Sequence, residues 1–339
     1  MKAAFIRAPF DIAIREIEMP ELVHGSALVR VNFVGVCGTD VHLAQEWAAD
    51  WTRFGHETVG TVVATGPGVS DLTEGDLVAV RATTFCGVCH HCMAGDPRYC
   101  LDWRSTRMSV GFAEHIVVPR QSIWPVRDLD PRAASLIEPL AVSLDVVNTA
   151  DIGIGDNVCI IGPGPIGIMA TRLARLRGAR RVIVCGTSSD RARLEVCANL
   201  GADICVVAEG DELATAVGRA TRGVGADRVI VTAPPSAVPQ ALSIARYGAI
   251  ISFVGFSSES AKRFVELDLN ALHSSKHQLR GSYASPVAPF SVANDLLADD
   301  VVPADKIITH ELPFEQLSEA LRLAQTHDDR TVKATVRVS

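Results

Sequence analysis

Four cysteines, Cys86, Cys89, Cys92 and Cys100, stand within fifteen residues in the run FCGVCHHCMAGDPRYC, spaced C-x2-C-x2-C-x7-C. One tetrahedral zinc takes four thiolates, and this tight spacing lets a single lobe supply them all. Disulfides fit poorly, because nothing else in the chain points to an oxidising compartment. The run therefore reads as a structural zinc site. A second candidate metal cluster lies on its N-terminal side and a nucleotide fingerprint on its C-terminal side.

A chain of 339 residues can build two domains with separate cores, and a hydrophobic share of 48% is globular. The N-terminus MKAAFIRAPFD carries no long apolar run and no small-residue cleavage site, so no signal peptide is expected. No stretch approaches the roughly 18 apolar residues of a membrane span. Nine cysteines without an export signal imply a reducing cytoplasm. The net charge of −7 favours solubility and argues against nucleic acid as a partner.

Residues 1–148 read as β-rich. SALVRVNFVGV, GTVVATG and DLVAV are short, β-branched and punctuated by Gly and Asp. A helical signal runs from Ala133 to Thr149, with Pro139 expected to interrupt it. From Ile152 the pattern changes to strand, turn, helix, repeated several times. That alternation predicts an α/β domain with a mainly parallel, doubly covered sheet over residues 149–288. Residues 289–339 are expected to return to the first domain, with a helix at FSVANDLLADD and a strand at TVKATVRV.

Gly162-Pro163-Gly164-Pro165-Ile166-Gly167 has the spacing G-x-G-x-x-G, after the buried-strand run Val158 to Ile161 and at the opening of a helix. Gly162 permits the tight turn, Gly164 lets backbone approach a pyrophosphate, and Gly167 allows close helix packing. The helix N-terminus then offers N–H groups to negative charge. The alternative is a tight turn without ligand. At the end of the next strand, an acidic residue would bind an adenine ribose, but Gly186 stands there, followed by Thr187, Ser188, Ser189, Asp190 and Arg191. Thr187, Ser188 and Arg191 could receive a 2′-phosphate, so the reading is NAD(P) with a lean to NADP. Asp190 could instead cap the next helix or reach the ribose, and Arg191 and Arg193 could be solvated helix residues.

Before the cysteine lobe come Cys37 in GVCGTDVH and His56-Glu57 in GHE; after it comes Glu138 in IEPLAV. In this order, with the lobe and the glycine turn, they resemble the zinc-dependent medium-chain alcohol and polyol dehydrogenases, nearest the sorbitol and threonine dehydrogenase branch. The resemblance spans essentially the whole chain. It implies a GroES-like catalytic domain carrying the zinc lobe, a Rossmann domain, and two zinc ions per chain. Cys37 and His56 would ligate the catalytic zinc, with Glu57 or Glu138 in the remaining protein position. Glu138 stands where the classical alcohol dehydrogenases carry a cysteine, which favours the polyol-like branch. Thr39 would touch the substrate oxygen and His42 would deliver the proton to solvent, a role that an ordinary imidazole pKa suits. Asp40 reads as ordering the Cys37 loop and Asp145 as structural.

These residue types suit the chemistry. Thiolate, imidazole and carboxylate bind zinc and can leave a position open; zinc lowers the pKa of an alcohol, and a nicotinamide carries the hydride. The expected activity is oxidation of a secondary alcohol, on a polyol, sugar, cyclitol or amino alcohol. The alternatives are a primary-alcohol or aldehyde reductase, a quinone-reductase-like enzyme, and a non-catalytic nucleotide-binding relative. Trp47, Trp51 and Phe54 could line one side of a pocket or pack the catalytic loop. Arg104 or Arg107 could bind an acidic or phosphorylated substrate, or pair at the surface. Cys159, Cys185, Cys197 and Cys205 read as small core filler. The segment LHSSKHQLRGSY resembles the end of a Rossmann domain, where last strands pair between subunits, which implies a homodimer or homotetramer.

Overall fold

The computed structural model describes residues 1–106, 108, 110–208, 210–285, 287–326 and 330–339. Arg107, one of the two candidate substrate-binding arginines, lies outside the described residues. The chain divides into two compact units. The first comprises Met1–Ala141, Ala284–Thr326 and Lys333–Ser339; the second comprises Val142–Tyr283 and a short return ending at Val332.

In the first unit a seven-stranded sheet runs in the order Ile308–Pro313, Lys333–Arg337, Ser26–Gly35, Glu57–Thr65, Leu77–Val80, Ile123–Pro125, with His115–Pro119 also paired to Ser26–Gly35. A three-stranded sheet joins Asp11–Glu16, Lys2–Arg7 and Thr52–Arg53. The long strand Ser26–Gly35 alternates its burial as a half-covered strand does. Register brings distant residues onto neighbouring positions: Gly35 lies opposite Glu57 on one side and Thr335 on the other. The core beneath includes Phe54 and Phe112, both fully buried with ring centroids 4.7 Å apart.

The second unit is built on six parallel strands, in the order Ile204–Val207, Arg181–Gly186, Asn157–Ile161, Ala226–Val231, Ala245–Phe253, Gln278–Gly281. Numbered from the first of them, that is 3-2-1-4-5-6, the doubly wound order whose switch point falls beside the first strand. Asn157–Ile161 and Arg181–Gly186 are buried along nearly their whole length, which is why they read as unbroken apolar runs. The glycine turn follows the first strand at its carboxyl end, where such sheets take ligands.

Pro139 does not interrupt its helix. The segment forms a short helix Pro131–Ala134, capped by Asp130, and then Ile137–Ala150. Pro139 falls in the first turn of the longer helix, where a backbone N–H has no partner in any case. Among the described residues, no helix is long and apolar enough to cross a membrane.

Candidate active site and nucleotide turn

Cys37 ends the strand-to-helix passage from Ser26–Gly35 and caps the short helix Gly38–His42; its N–H donates to Asp40 Oδ2 at 3.0 Å. Glu57 opens the neighbouring strand, and His56 directly precedes it. Ligand atoms of Cys37, His56 and Glu57 all lie within 4.8 Å of one another, a thiol, an imidazole and a carboxylate converging on one point. This donor set fits zinc. Glu138 falls outside that mutual spacing, although it acts on the His56 charge.

The electrostatics also suit a cation. Burial alone would lower the proton affinity of His56. The negative charges of Cys37, Asp40 and Glu138 outweigh it and hold the ring well above its ordinary pKa. Asp40 is fully buried behind it, with Oδ1 3.7 Å from His56 Nδ1 and without a hydrogen-bond partner. Desolvation raises the Asp40 carboxyl. Burial pushes Glu138 up to about 7, against the pull of His56.

Lys333 is the residue that sequence reasoning missed. Its ammonium lies 2.6 Å from Glu57 Oε1 and donates to Val36 O at 2.8 Å. Burial alone would lower its pKa; Glu57 and Cys37 outweigh that and keep it charged. The available signal was slight, a lysine in the expected strand TVKATVRV, which carries an arginine as well.

Thr39 Oγ1 lies 3.7 Å from Cys37 Sγ, and His42 ends the same short helix, half-buried, with its ring 5.0 Å from that of Trp47. The three aromatic residues do not share a side. Trp47 is exposed, Trp51 lies under the guanidinium groups of Arg7 and Arg15, and Phe54 is core. Arg104 is exposed, with its guanidinium 5.4 Å from the Trp103 ring.

In the cysteine lobe the four sulfurs also lie within 4.8 Å of one another, with Cys89 and Cys92 at 3.5 Å. Tetrahedral Zn–S bonds of about 2.3 Å place sulfurs roughly 3.8 Å apart, so the cage has the right size. Backbone N–H groups of Cys86, Cys89 and Leu101 point at Cys100, Cys86 and Cys89 sulfurs. Donation from Leu101 first, then Cys92, pulls Cys89 down to about 6. Desolvation, then Cys89, pushes Cys92 up to about 12. Sulfurs this close cannot all be anionic without a cation among them.

In the second unit Gly162 adopts φ +105°, and a Cβ there would sit 2.7 Å from Ala233 N. A Cβ at Gly167 would overlap Gly162 O. Thr232 clamps the turn by donating to Gly162 O at 2.6 Å, a contact the motif does not reveal. Gly164 differs: it caps the helix Pro165–Leu176, and a Cβ there would meet no protein atom within 4 Å. With Pro165 at the first helical position, the N–H groups of Ile166 and Gly167 begin the helix beside that space. Protein packing thus demands Gly162 and Gly167, whereas Gly164 leaves room for a phosphate.

After the second strand, Gly186 is hemmed in by Pro163 and Asp190, so a side chain there would clash. Asp190 closes a capping box: its Oδ2 accepts from Thr187 N at 2.9 Å and Thr187 Oγ1 at 2.8 Å. Its Oδ1 takes Arg193 at 3.3 Å. Arg193 is buried on Thr331 O rather than solvated, whereas Thr187, Ser188 and Arg191 are exposed. Asp145 accepts from Ser282 Oγ at 2.5 Å. Cys159, Cys185 and Cys197 are buried core as expected, but Cys205 is exposed, with Sγ 3.2 Å from Leu194 O.

Residues 23–128 match the alcohol dehydrogenase GroES-like domain, and residues 165–299 match the zinc-binding dehydrogenase domain. The L-galactonate-5-dehydrogenase of Escherichia coli K12 is 30% identical, over 99% of this chain and 98% of that one. The chain belongs to the zinc-dependent medium-chain dehydrogenase family. Sorbitol and L-threonine 3-dehydrogenases are among the relatives of this dehydrogenase. An alcohol dehydrogenase of Escherichia coli CFT073 complexed with NADH shares 27% identity and superposes with TM-score 0.88, over 100% of this chain and 99% of that one. A zinc-binding dehydrogenase of Sinorhizobium meliloti 1021 bound to NADP gives 27% identity and TM-score 0.88, over 99% of each. The expected fold, a GroES-like domain with a Rossmann domain, holds, and the dehydrogenase is an oxidoreductase.

Two outcomes follow from the geometry. Gly167→Ala should lower the melting temperature, while Gly164→Ala leaves it near wild type; equal losses in thermal unfolding would show that packing governs both positions. The Glu138 carboxyl binds its proton more tightly folded, about 7 against an ordinary 4.5, so its stabilisation is present below pH 4.5 and lost as pH rises through about 7. Urea unfolding of metal-free protein should show that decline, and Glu138→Gln should remove it; an unchanged profile in the variant would contradict the assignment.

Proposed function

We propose that this dehydrogenase oxidises a secondary alcohol of a polyol, sugar, sugar acid, cyclitol or amino alcohol to the ketone, passing hydride to NAD(P) and a proton to solvent. The convergence of Cys37, His56 and Glu57 carries this reading, because hydride transfer alone has no need of a metal-ligating set. The first unit acts as the catalytic domain, completed by the C-terminal return, and the second as the nucleotide domain. Two zinc ions per chain are proposed, one structural at Cys86, Cys89, Cys92 and Cys100, one catalytic. When bound at Cys37 and His56, zinc supplies a Lewis acid that lowers the pKa of an alcohol, and the nicotinamide accepts hydride.

The chain's own residues do the rest. Asp40 orients the His56 ring through Nδ1. Thr39 Oγ1 hydrogen-bonds the reacting hydroxyl and takes up its proton as that of Thr39 moves on; His42 releases it to water. Gly164 and the N–H groups of Ile166 and Gly167 receive the pyrophosphate. Asp190, engaged by Thr187 and Arg193, is a poor acceptor for a ribose hydroxyl, and exposed Thr187, Ser188 and Arg191 suit a 2′-phosphate. This supports NADP over NAD.

The four-thiolate lobe needs reduced sulfur, which supports a cytoplasmic setting. Gln278–Gly281 is the last strand of its sheet, and an outer strand can pair with a second copy, so a homodimer or homotetramer is proposed.

Metal analysis with steady-state kinetics tests the reading. Wild type should carry two zinc ions and reduce NADP with a secondary alcohol from a polyol, sugar-acid and amino-alcohol panel, followed at 340 nm. Cys37→Ser or His56→Ala should lose turnover by at least about 100-fold with nucleotide affinity kept, whereas Cys92→Ser should lose stability. Wild-type turnover in Cys37→Ser would overturn the catalytic assignment. For the nucleotide, Arg191→Ala should weaken NADPH about tenfold and leave NADH unchanged, the scale of one charge-assisted contact. Equal effects on both would remove Arg191 from the phosphate site.

A further inference from the structure

Arg81 directly follows the strand Leu77–Val80, and its N–H still donates to Ser122 O at 2.7 Å, beside the strand Ile123–Pro125. Its guanidinium carbon lies 5.6 Å from the centre of the Trp124 ring and 5.2 Å from that of Phe290, the first residue of the helix Phe290–Ala298. Val80, one position earlier, lines a small cavity with His56. Successive side chains leave a strand on opposite faces, so Arg81 turns away from the metal-ligating set.

This short stretch holds three donors without an acceptor. Arg81 Nε, Trp124 Nε1 and Ser122 Oγ are each shut off from solvent, and none has a hydrogen-bond partner. Other arginines show the contrast: Arg193 donates to Thr331 O at 2.9 Å, and Arg120 is held by the carboxylate of Asp71. Among the described residues the Arg81 guanidinium has no counter-charge. Burial, then the neighbouring Arg120, lowers its proton affinity, and no carboxylate opposes them. Aromatic rings attract the cation through their faces but leave its in-plane N–H groups unserved. An enclosed cation without an anion, beside buried donors without acceptors, is costly to fold.

We propose that Arg81, Ser122 and Trp124 form a binding site for a small oxoanion, a phosphate or a carboxylate, on the face of the sheet turned away from His56. Guanidinium and indole nitrogens only donate, so the ligand must accept. A neutral polyol would bring several donors of its own, with only the Ser122 hydroxyl to receive them. A water can accept from these groups but leaves the charge uncompensated. An oxoanion supplies both the acceptors and the charge, with two oxygens for the fork of Arg81.

Trp124 reports occupancy directly. In the purified full chain with nitrogen-15-labelled tryptophan, its indole signal is identified by its loss in Trp124→Phe. Sodium phosphate and sodium acetate are then titrated separately, at fixed pH and with ionic strength held by sodium chloride. The Trp124 indole proton should move downfield and saturate with at least one of the two, and the tighter anion names the group recognised. Arg81→Met should weaken that binding by at least about tenfold, the scale of one charge-assisted contact. Phosphate taken up at the glycine turn is no confusion, because that turn belongs to the other unit and all four tryptophans belong to the first.

A Trp124 signal that neither anion moves would overturn the proposal, as would equal movement in wild type and Arg81→Met. Should Arg81→Met fail to fold, Arg81→Lys decides, since it keeps the charge but removes Nε and the fork. Weaker anion binding in that variant supports the site, and unchanged binding overturns it.

Discussion

Opposite charges buried side by side organise the first unit. Glu57 and Lys333 are 276 positions apart in sequence, yet their side chains are in direct contact under the sheet. Removing one partner from such a pair leaves an uncompensated buried charge, at a cost of about 3–5 kcal/mol. The fold must therefore deliver both or neither. Three strands, Lys333–Arg337, Ser26–Gly35 and Glu57–Thr65, have to be in register for that to happen. A slip of one residue would turn Lys333 to the opposite face. The C-terminal return thus does more than close the sheet: it carries the cation that balances the buried acid Glu57.

The nucleotide turn is built on the opposite principle. Its geometry is set within a few residues, by a positive φ at Gly162 and by the contact between Gly162 O and Gly167. Two more distant side chains tighten it, Thr232 through the carbonyl of Gly162 and Ser143 through that of Ile166. Removing a methyl's worth of space at Gly162 or Gly167 disturbs the protein itself. At Gly164 the same change would disturb only what lies beside the helix N-terminus. One short motif thus separates two glycines that the fold itself requires from a third that faces open space.

This difference in range explains what could be read from the sequence. The cysteine lobe and the glycine turn are local, so spacing alone exposed them, as did the alternation of strands and helices in the second unit. Cys37, His56 and Glu57 come from the ends of two neighbouring strands and were visible only as an ordered set. Gly35 and Lys333 could not be connected from the sequence, because a gap in one strand acquires meaning only when its neighbours are known. Pro139 was misjudged as a breaker because the helix start shifts to Ile137, which brings the proline into the tolerant first turn. Of the two readings open for Trp51 and Phe54, packing holds: the strand Thr52–Arg53 separates them and sends the two rings to different surroundings. Periodicity reports only which residues could share a face; pairing decides whether they do.

The two glutamates near the metal set illustrate how environment divides one chemistry into two roles. Glu57 is fixed by the Lys333 ammonium, which lies 2.6 Å from its Oε1. Glu138, on the first turn of a helix and outside the tight ligand group, is pushed up to about 7 by burial. In the metal-free centre it is thus a carboxyl able to change its protonation near neutral pH. Paired acids with divergent environments are how a site assigns a permanent charge to one group and a movable proton to the other. The ambiguity between them in the sequence, two glutamates each able to fill the same ligand position, arises because only the lysine from the far end of the chain distinguishes one from the other.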